Sequence, residues 1–300
     1  METRTSQTKN NNLEFGIRIA THSILKEINH ACKSNLKEEL RNEINSWARE
    51  VSKWHIDELL SEDFFSKEAI LVLASALYFK GTWLQNFDPL DTRDEDFHLL
   101  NGQTVRVPFM KRSNSYNFYG SFDGFKLLKM QYKFGKFGGK NYAMYIFLPD
   151  KKDGLQELVE KFHSDPKFLL ENRKLREVKL DKLWLPKLKY EYGLDAGESM
   201  IKLGLDLPFD RMKAEIYEIV ETLFGVVYLS KAFQKCYIEV NEEGTIATAV
   251  TAFEVCFGSI MPCMEPSQLS FVADHPFLFM IKEEISGIPL FVGAALNPLL

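Results

Sequence analysis

The 300-residue sequence has no apolar run long enough to cross a bilayer. Its opening stretch, METRTSQTKNNNLEFG, is polar where a secretory peptide needs an apolar core, so an intracellular, cytoplasmic or nucleocytoplasmic protein is the expectation, with action outside cells left open. No Asn-x-Ser/Thr sequon marks a secreted surface, and the four cysteines (Cys32, Cys236, Cys256, Cys263) show no C-x-x-C spacing. Reduced thiols and no zinc site follow. Neither sign of charge dominates: 37 basic and 42 acidic residues give a net charge of -5, spread along the chain with no basic stripe for nucleic acid and no acidic tail. Catalytic signatures are missing as well. There is no G-x-S-x-G elbow, no Walker lysine loop and no G-x-G-x-x-G, and FGKFGG at 134–139 reads as a hairpin turn. The six histidines lie far apart with no readable partner, and His275, in VADHPFLF before a proline, reads as a hydrogen-bonded structural residue. No enzyme activity, cofactor or metal is expected, and no nucleic acid or membrane as partner.

What is present is enough apolar material, 45% hydrophobic and 13% aromatic, to bury a large core. LEFGIRIATHSILKEI brings Phe15, Ile17, Ile24, Leu25 and Ile28 towards one face at helical spacing. KEELRNEINSWAREVSKWHIDELL does the same with Leu40, Ile44, Trp47, Val51 and Trp54. AILVLASALYFKGTW, at 69–83, is apolar without alternation and predicts a strand buried on both faces. From residue 94 to 150, EDFHLL, TVRVPFM, FKLLKMQY and NYAMYIFLPD predict antiparallel strands separated by turn residues. DGLQELVEKF and DPKFLLENRK each begin with an Asp placed to cap a helix, and REVKLDKLWLPKLKYEYGLD returns to strand. Helices and sheets are segregated, which is the α+β class, and with no repeat or low-complexity linker a single domain over 1–300 is expected.

One segment does not fit an ordinary reading. After the strand-like CYIEV, the residues NEEG at 241–244 read as a stop, yet TIATAVTAFEV follows with strand formers at once. With the two-residue period of a sheet, Thr245, Ala247, Ala249 and Thr251 share one face, all small, and Ile246, Thr248, Val250 and Ala252 share the other.

ALYFKGTW, LPK at Leu185–Lys187, IEVNEEGT, FVADHPFLF and GIPLFVGAALNP occur in the order and at roughly the separations they have in the serpins, most like the plant branch, over residues 39–300. The resemblance implies a serpin fold: three β-sheets with surrounding helices and an exposed reactive-centre loop, here at 244–270. It implies a serine protease inhibitor acting as a suicide substrate. A protease attacks the loop, and at the acyl-enzyme stage the cut loop inserts into the central sheet. Fifteen residues from hinge to cleaved bond, at about 3.3 Å each, would carry the enzyme ~50 Å. By that resemblance the hinge is Glu243, Gly244, Thr245, Ala247, Ala249 and Thr251, its small face turning inward. The reactive bond is Gly258–Ser259, with Phe257 and Ile260 as the neighbouring registers. Phe257 would suit a chymotrypsin-like enzyme, and cysteine proteases stay open as targets; a monomer is implied.

The likeness also has gaps. The segment before KEELRNEINSWA is far shorter than in a complete serpin, so several helices and edge strands are expected to be missing and residues 1–35 form a divergent N-terminal helix region. The family's Asn and His beneath the point where the sheet parts, its shutter, are here Ser75 and Gln234. A non-inhibitory or degenerate serpin-fold protein, serving as protease substrate or binding module, is the alternative.

Overall fold

The computed structural model describes residues 18–27, 34–62, 71–133, 141–164, 175–214, 228–245 and 269–300. By internal contacts they form two compact units, one of Arg18–Phe79 and Tyr190–Ile238, the other of Lys80–Lys189 and Glu239–Leu300.

In the first unit, strand β1 (Arg18–Glu27) lies at the edge of a sheet beside β2 (Leu71–Thr82). Here the structure corrects the expectation of an N-terminal helix over 13–28 and within 1–35. β-branched Ile19, Thr21 and Ile24 fit a strand, and the edge of β2 supplies the ladder that local periodicity cannot weigh. Helix α1 (Ser34–Val51) forms as expected, with Ile44 and Ala48 buried. Its buried Asn45 is fully used: the side-chain amide donates to the Leu60 carbonyl at 3.0 Å, and its oxygen accepts the Leu59 and Leu60 N–H groups at 2.9 and 2.8 Å. Trp54 leaves the predicted helical face. The helix stops at Val51, Lys53 and Trp54 take φ of 57° and 67°, and the Trp54 ring is 72% exposed.

β2 and β9 (Leu229–Asn241) pair in parallel from Leu71↔Leu229 to Tyr78↔Tyr237. The sheet order is β1-β2-β10-β9-β8, with β10 at Gly244–Thr245 and β8 at Leu188–Asp195. β2 is buried on both faces at Val72, Ala74, Ala76, Leu77, Tyr78 and Phe79, which explains its unbroken apolar run. Helix α3 (Ala196–Lys202) follows β8 and is capped by the Asp195 carboxylate, which accepts the Glu198 N–H.

The second unit holds an eight-stranded sheet of order β11-β7-β4-β5-β6-β12-β13, with β3 paired to β4. In chain order these are β3 (Arg93–His98), β4 (Thr104–Phe122), β5 (Phe125–Gln131), β6 (Tyr142–Pro149), β7 (Arg176–Pro186), β11 (Ser270–Val272), β12 (Phe277–Glu283) and β13 (Pro289–Ala295). The described strands are hydrogen-bonded as two sheets rather than three, because the 19-residue β4 pairs β3 from Thr104 to Phe109, β7 from Phe109 to Tyr119 and β5 from Phe118 to Phe122. Helix α2 (Leu155–Ser164), expected from its Asp-led periodicity, packs Leu155, Leu158 and Phe162 onto Phe125, Phe147 and Leu278. β6 and β12 are buried throughout. The predicted FGKFGG turn and the DPKFLLENRK helix lie outside the described residues.

Candidate functional site

The second unit places a short strand between two others. β10 is antiparallel to both neighbours, with Gly244 opposite Thr82 and Asn241, and Thr245 opposite Gly81 and Val240. The turn that delivers it is built by Asn241, whose side-chain oxygen accepts the N–H of Glu243 at 3.1 Å and of Gly244 at 3.2 Å. Gly244 has φ of +151°, and a Cβ there would stand 2.0 Å from the Gly81 carbonyl oxygen and 2.7 Å from the Thr82 Cα. Only glycine fits.

Beneath it Thr245 is fully buried, and its hydroxyl is 2.9 Å from the Tyr132 hydroxyl. Tyr132 stacks on Trp83 with centroids 4.4 Å apart, and burial pushes its phenol far above the usual range despite the Thr245 hydrogen bond. Trp83 ties the turn twice. Its indole N–H donates to the Asn241 carbonyl at 2.9 Å, and its backbone N–H donates to the Glu243 carbonyl at 2.8 Å.

Glu242 anchors the outer side. Its buried carboxylate accepts from Lys187 Nζ at 2.7 Å and from the Thr92 hydroxyl at 2.7 Å, while its backbone carbonyl accepts the Phe87 N–H at 2.8 Å. Burial alone would raise this carboxyl, but the hydrogen bonds from Lys187 and Thr92, with the lysine charge, outweigh it and hold it below the ordinary range. A group lowered in this way adds stability that is present above the unfolded-state value and lost as pH falls through the folded-state one. Glu242→Gln is therefore expected to cost about 1–3 kcal/mol near neutrality. In urea unfolding the gap between variant and parent should begin to narrow as pH drops below the ordinary glutamate value, ~4.3, and close only below the lower folded-state value; a gap independent of pH would mean that the carboxylate charge contributes nothing.

The two predicted shutter residues lie in the first unit. Ser75 and Gln234 are register partners across β2 and β9, both half-buried. No hydrogen bond joins them among the described residues. Cys236, two residues on, is a free thiol pushed up by burial to about 11. His275 is structural: Nε2–H donates to the Pro149 carbonyl at 2.8 Å and Nδ1 meets Asp274 at 2.7 Å. Among the described residues no group of three or more His, Cys, Asp or Glu could hold a metal ion, and no helix is long and apolar enough to cross a membrane.

A strand begun between two others, on a glycine turn leading into small residues, is the arrangement against which known proteins decide the family. The family model for Serpin (serine protease inhibitor) matches residues 20–298. The chain belongs to the serpin family. Serpin-Z7 of Hordeum vulgare is 40% identical over 260 residues, 87% of this chain, and Serpin-ZXA of Oryza sativa subsp. japonica is 42% identical over 264 residues, again 87%. The chain spans 63% and 64% of the length of these two relatives. Among solved structures, Arabidopsis AtSerpin1 in its native stressed conformation superposes with a TM-score of 0.79 at 33% identity, covering 95% of this chain and 77% of that one. Uncleaved ovalbumin, at 21% identity and a TM-score of 0.75, shares the fold.

In this serpin the structure brings Glu243, Gly244 and Thr245 of the expected hinge together at the sheet. Ala247, Ala249, Thr251, the bond Gly258–Ser259 and its neighbours Phe257 and Ile260 lie outside the described residues. Sequence reasoning missed Trp83, Tyr132, Asn241, Glu242 and Lys187 as parts of the site. Four of them stood in plain view inside ALYFKGTW, IEVNEEGT and LPK; Tyr132 carries no sequence signal.

Proposed function

We propose that this serpin is a serine protease inhibitor that traps its target by inserting the cleaved loop as a strand between β2 and β9. The observation that carries the reading is β10, two residues already hydrogen-bonded on both edges at the head of that path. The burial of Thr245 supports an inward small face, which Ala247, Ala249 and Thr251 continue by the two-residue period. On this reading Gly258–Ser259 is the reactive bond, with Phe257 and Ile260 as its adjacent registers. The partner is a chymotrypsin-like serine protease met by a monomer. The family match, unbroken from 20 to 298 across both compact units, supports one functional domain.

A second reading, a serpin fold that a protease merely cuts, rests on one observation. Ser75 and Gln234 sit in register without a hydrogen bond. Intact-protein mass spectrometry after brief incubation with a chymotrypsin-like protease separates the two. Inhibition yields a covalent adduct of the two proteins with release of a peptide beginning near Ser259. Cleavage within 255–261 without adduct supports the second reading, and scattered cuts throughout would refute both.

A further inference from the structure

Just before β2 and β9 part, their last registered pair is Tyr78 and Tyr237, both buried. The His55 ring stacks on both, with centroids 4.9 Å away in each case and planes inclined by 16° and 25°. One side chain from a third segment therefore holds both strands.

The turn that presents His55 is strained and heavily tied. Lys53 and Trp54 occupy left-handed φ values of 57° and 67°, rare for bulky side chains. They stay there because surrounding bonds over-determine them. The Trp54 N–H donates to the Arg49 carbonyl at 2.7 Å, the Ile56 N–H to the Ser52 hydroxyl at 3.0 Å, and Arg49 Nε to the Asp57 carbonyl at 2.7 Å. Such an outlier motivates a search for a functional constraint. Its effect here is to fix one imidazole over two rings.

The register says when this contact is met. Thr245 lies opposite Gly81 on β2 and Val240 on β9, so each further inserted residue steps one position along both. Both counts bring Thr248 to Tyr78 and Tyr237 together. By the two-residue period Thr248 faces opposite to Thr245, on the Tyr78 and Tyr237 side that His55 covers. The first parallel rung to be broken is thus the one His55 bridges.

We propose that His55 is a positioning residue that clasps β2 to β9 through Tyr78 and Tyr237 and, on the inhibitory reading above, sets the rate at which the sheet admits the loop. The clasp must release one tyrosine before Thr248 enters. Aromatic stacking carries it, so another flat ring replaces imidazole and a methyl group does not.

The test uses the full chain in three forms, parent, His55→Ala and His55→Phe, with two readouts. Backbone hydrogen exchange reports opening of β2 and β9 whether or not anything inserts. Capture of a synthetic peptide spanning residues 245–258 reports acceptance of a strand. His55→Ala is expected to speed exchange around Tyr78 and Tyr237 roughly tenfold and peptide capture by a similar factor, while His55→Phe stays near the parent. Parental exchange in His55→Ala, or equally fast exchange in His55→Phe, overturns the clasp. If exchange follows the expected pattern but no form captures the peptide, the clasp holds and the insertion reading falls.

Discussion

Gly244→Ala is expected to drive β10 out of the sheet. The added methyl group would lie 2.0 Å from the Gly81 oxygen and 2.7 Å from the Thr82 Cα, both backbone atoms of the neighbouring strand, so no rotamer change relieves it. At φ of +151° the backbone itself is strained for any residue with a Cβ. Such strain costs about 1–3 kcal/mol, and overpacking adds about 1–3 kcal/mol. Only two residues hold β10 in place, so expulsion is the cheaper response than shifting β2. The Thr245 amide should then exchange as an exposed group, and limited proteolysis should cut next to Gly244 while the eight-stranded sheet keeps its protection. An unchanged Thr245 amide with unchanged unfolding midpoint would contradict the geometry.

Thr245→Arg is the second large effect, and it separates folding from function. The site is fully buried against Tyr132, which stacks on Trp83. An unpaired charge there costs about 3–5 kcal/mol if it stays. The chain avoids this by keeping β10 outside, where the guanidinium is hydrated. Folding should survive, with a thermal midpoint within a few degrees of the parent. Insertion would then require burying the charge, so the variant should be cleaved in the loop without forming a covalent adduct. A variant that still traps protease as efficiently as the parent would show that residue 245 does not enter the sheet during inhibition.

The path of the chain was legible wherever one periodicity ruled. The unbroken apolar run of β2, the doubly buried β6 and the α2 stripe of Leu155, Leu158 and Phe162 announce their environments directly. The start of β10 was legible for a different reason, a strand former placed straight after a glycine. Arg18–Glu27 was not, because its apolar residues satisfy a helical face as well as a strand and the choice is made by the edge of β2. Trp54 was misplaced because a positive φ overrides the stripe, and that conformation is tied by hydrogen bonds within the turn itself. The Glu242–Lys187 pair joins residues 55 positions apart in sequence, and no local pattern distinguishes a buried carboxylate from a solvated one.

The opposed directions of the strands have a mechanical consequence. β2 and β9 run parallel over eight registered pairs, while β10 is antiparallel to both. On the inhibitory reading, each residue that enters would undo one parallel rung and create two antiparallel ones, and parallel pairing is the slightly weaker kind per residue. On that reading the sheet would be a fastener anchored at Thr245. Its slider would be the next residue to enter, travelling one way from Tyr78 towards Leu71 in whole-residue steps, and each step would leave behind more ladder than it met. Stopping part-way would be the unstable condition: once the first rung yielded, the remaining rungs would favour completion.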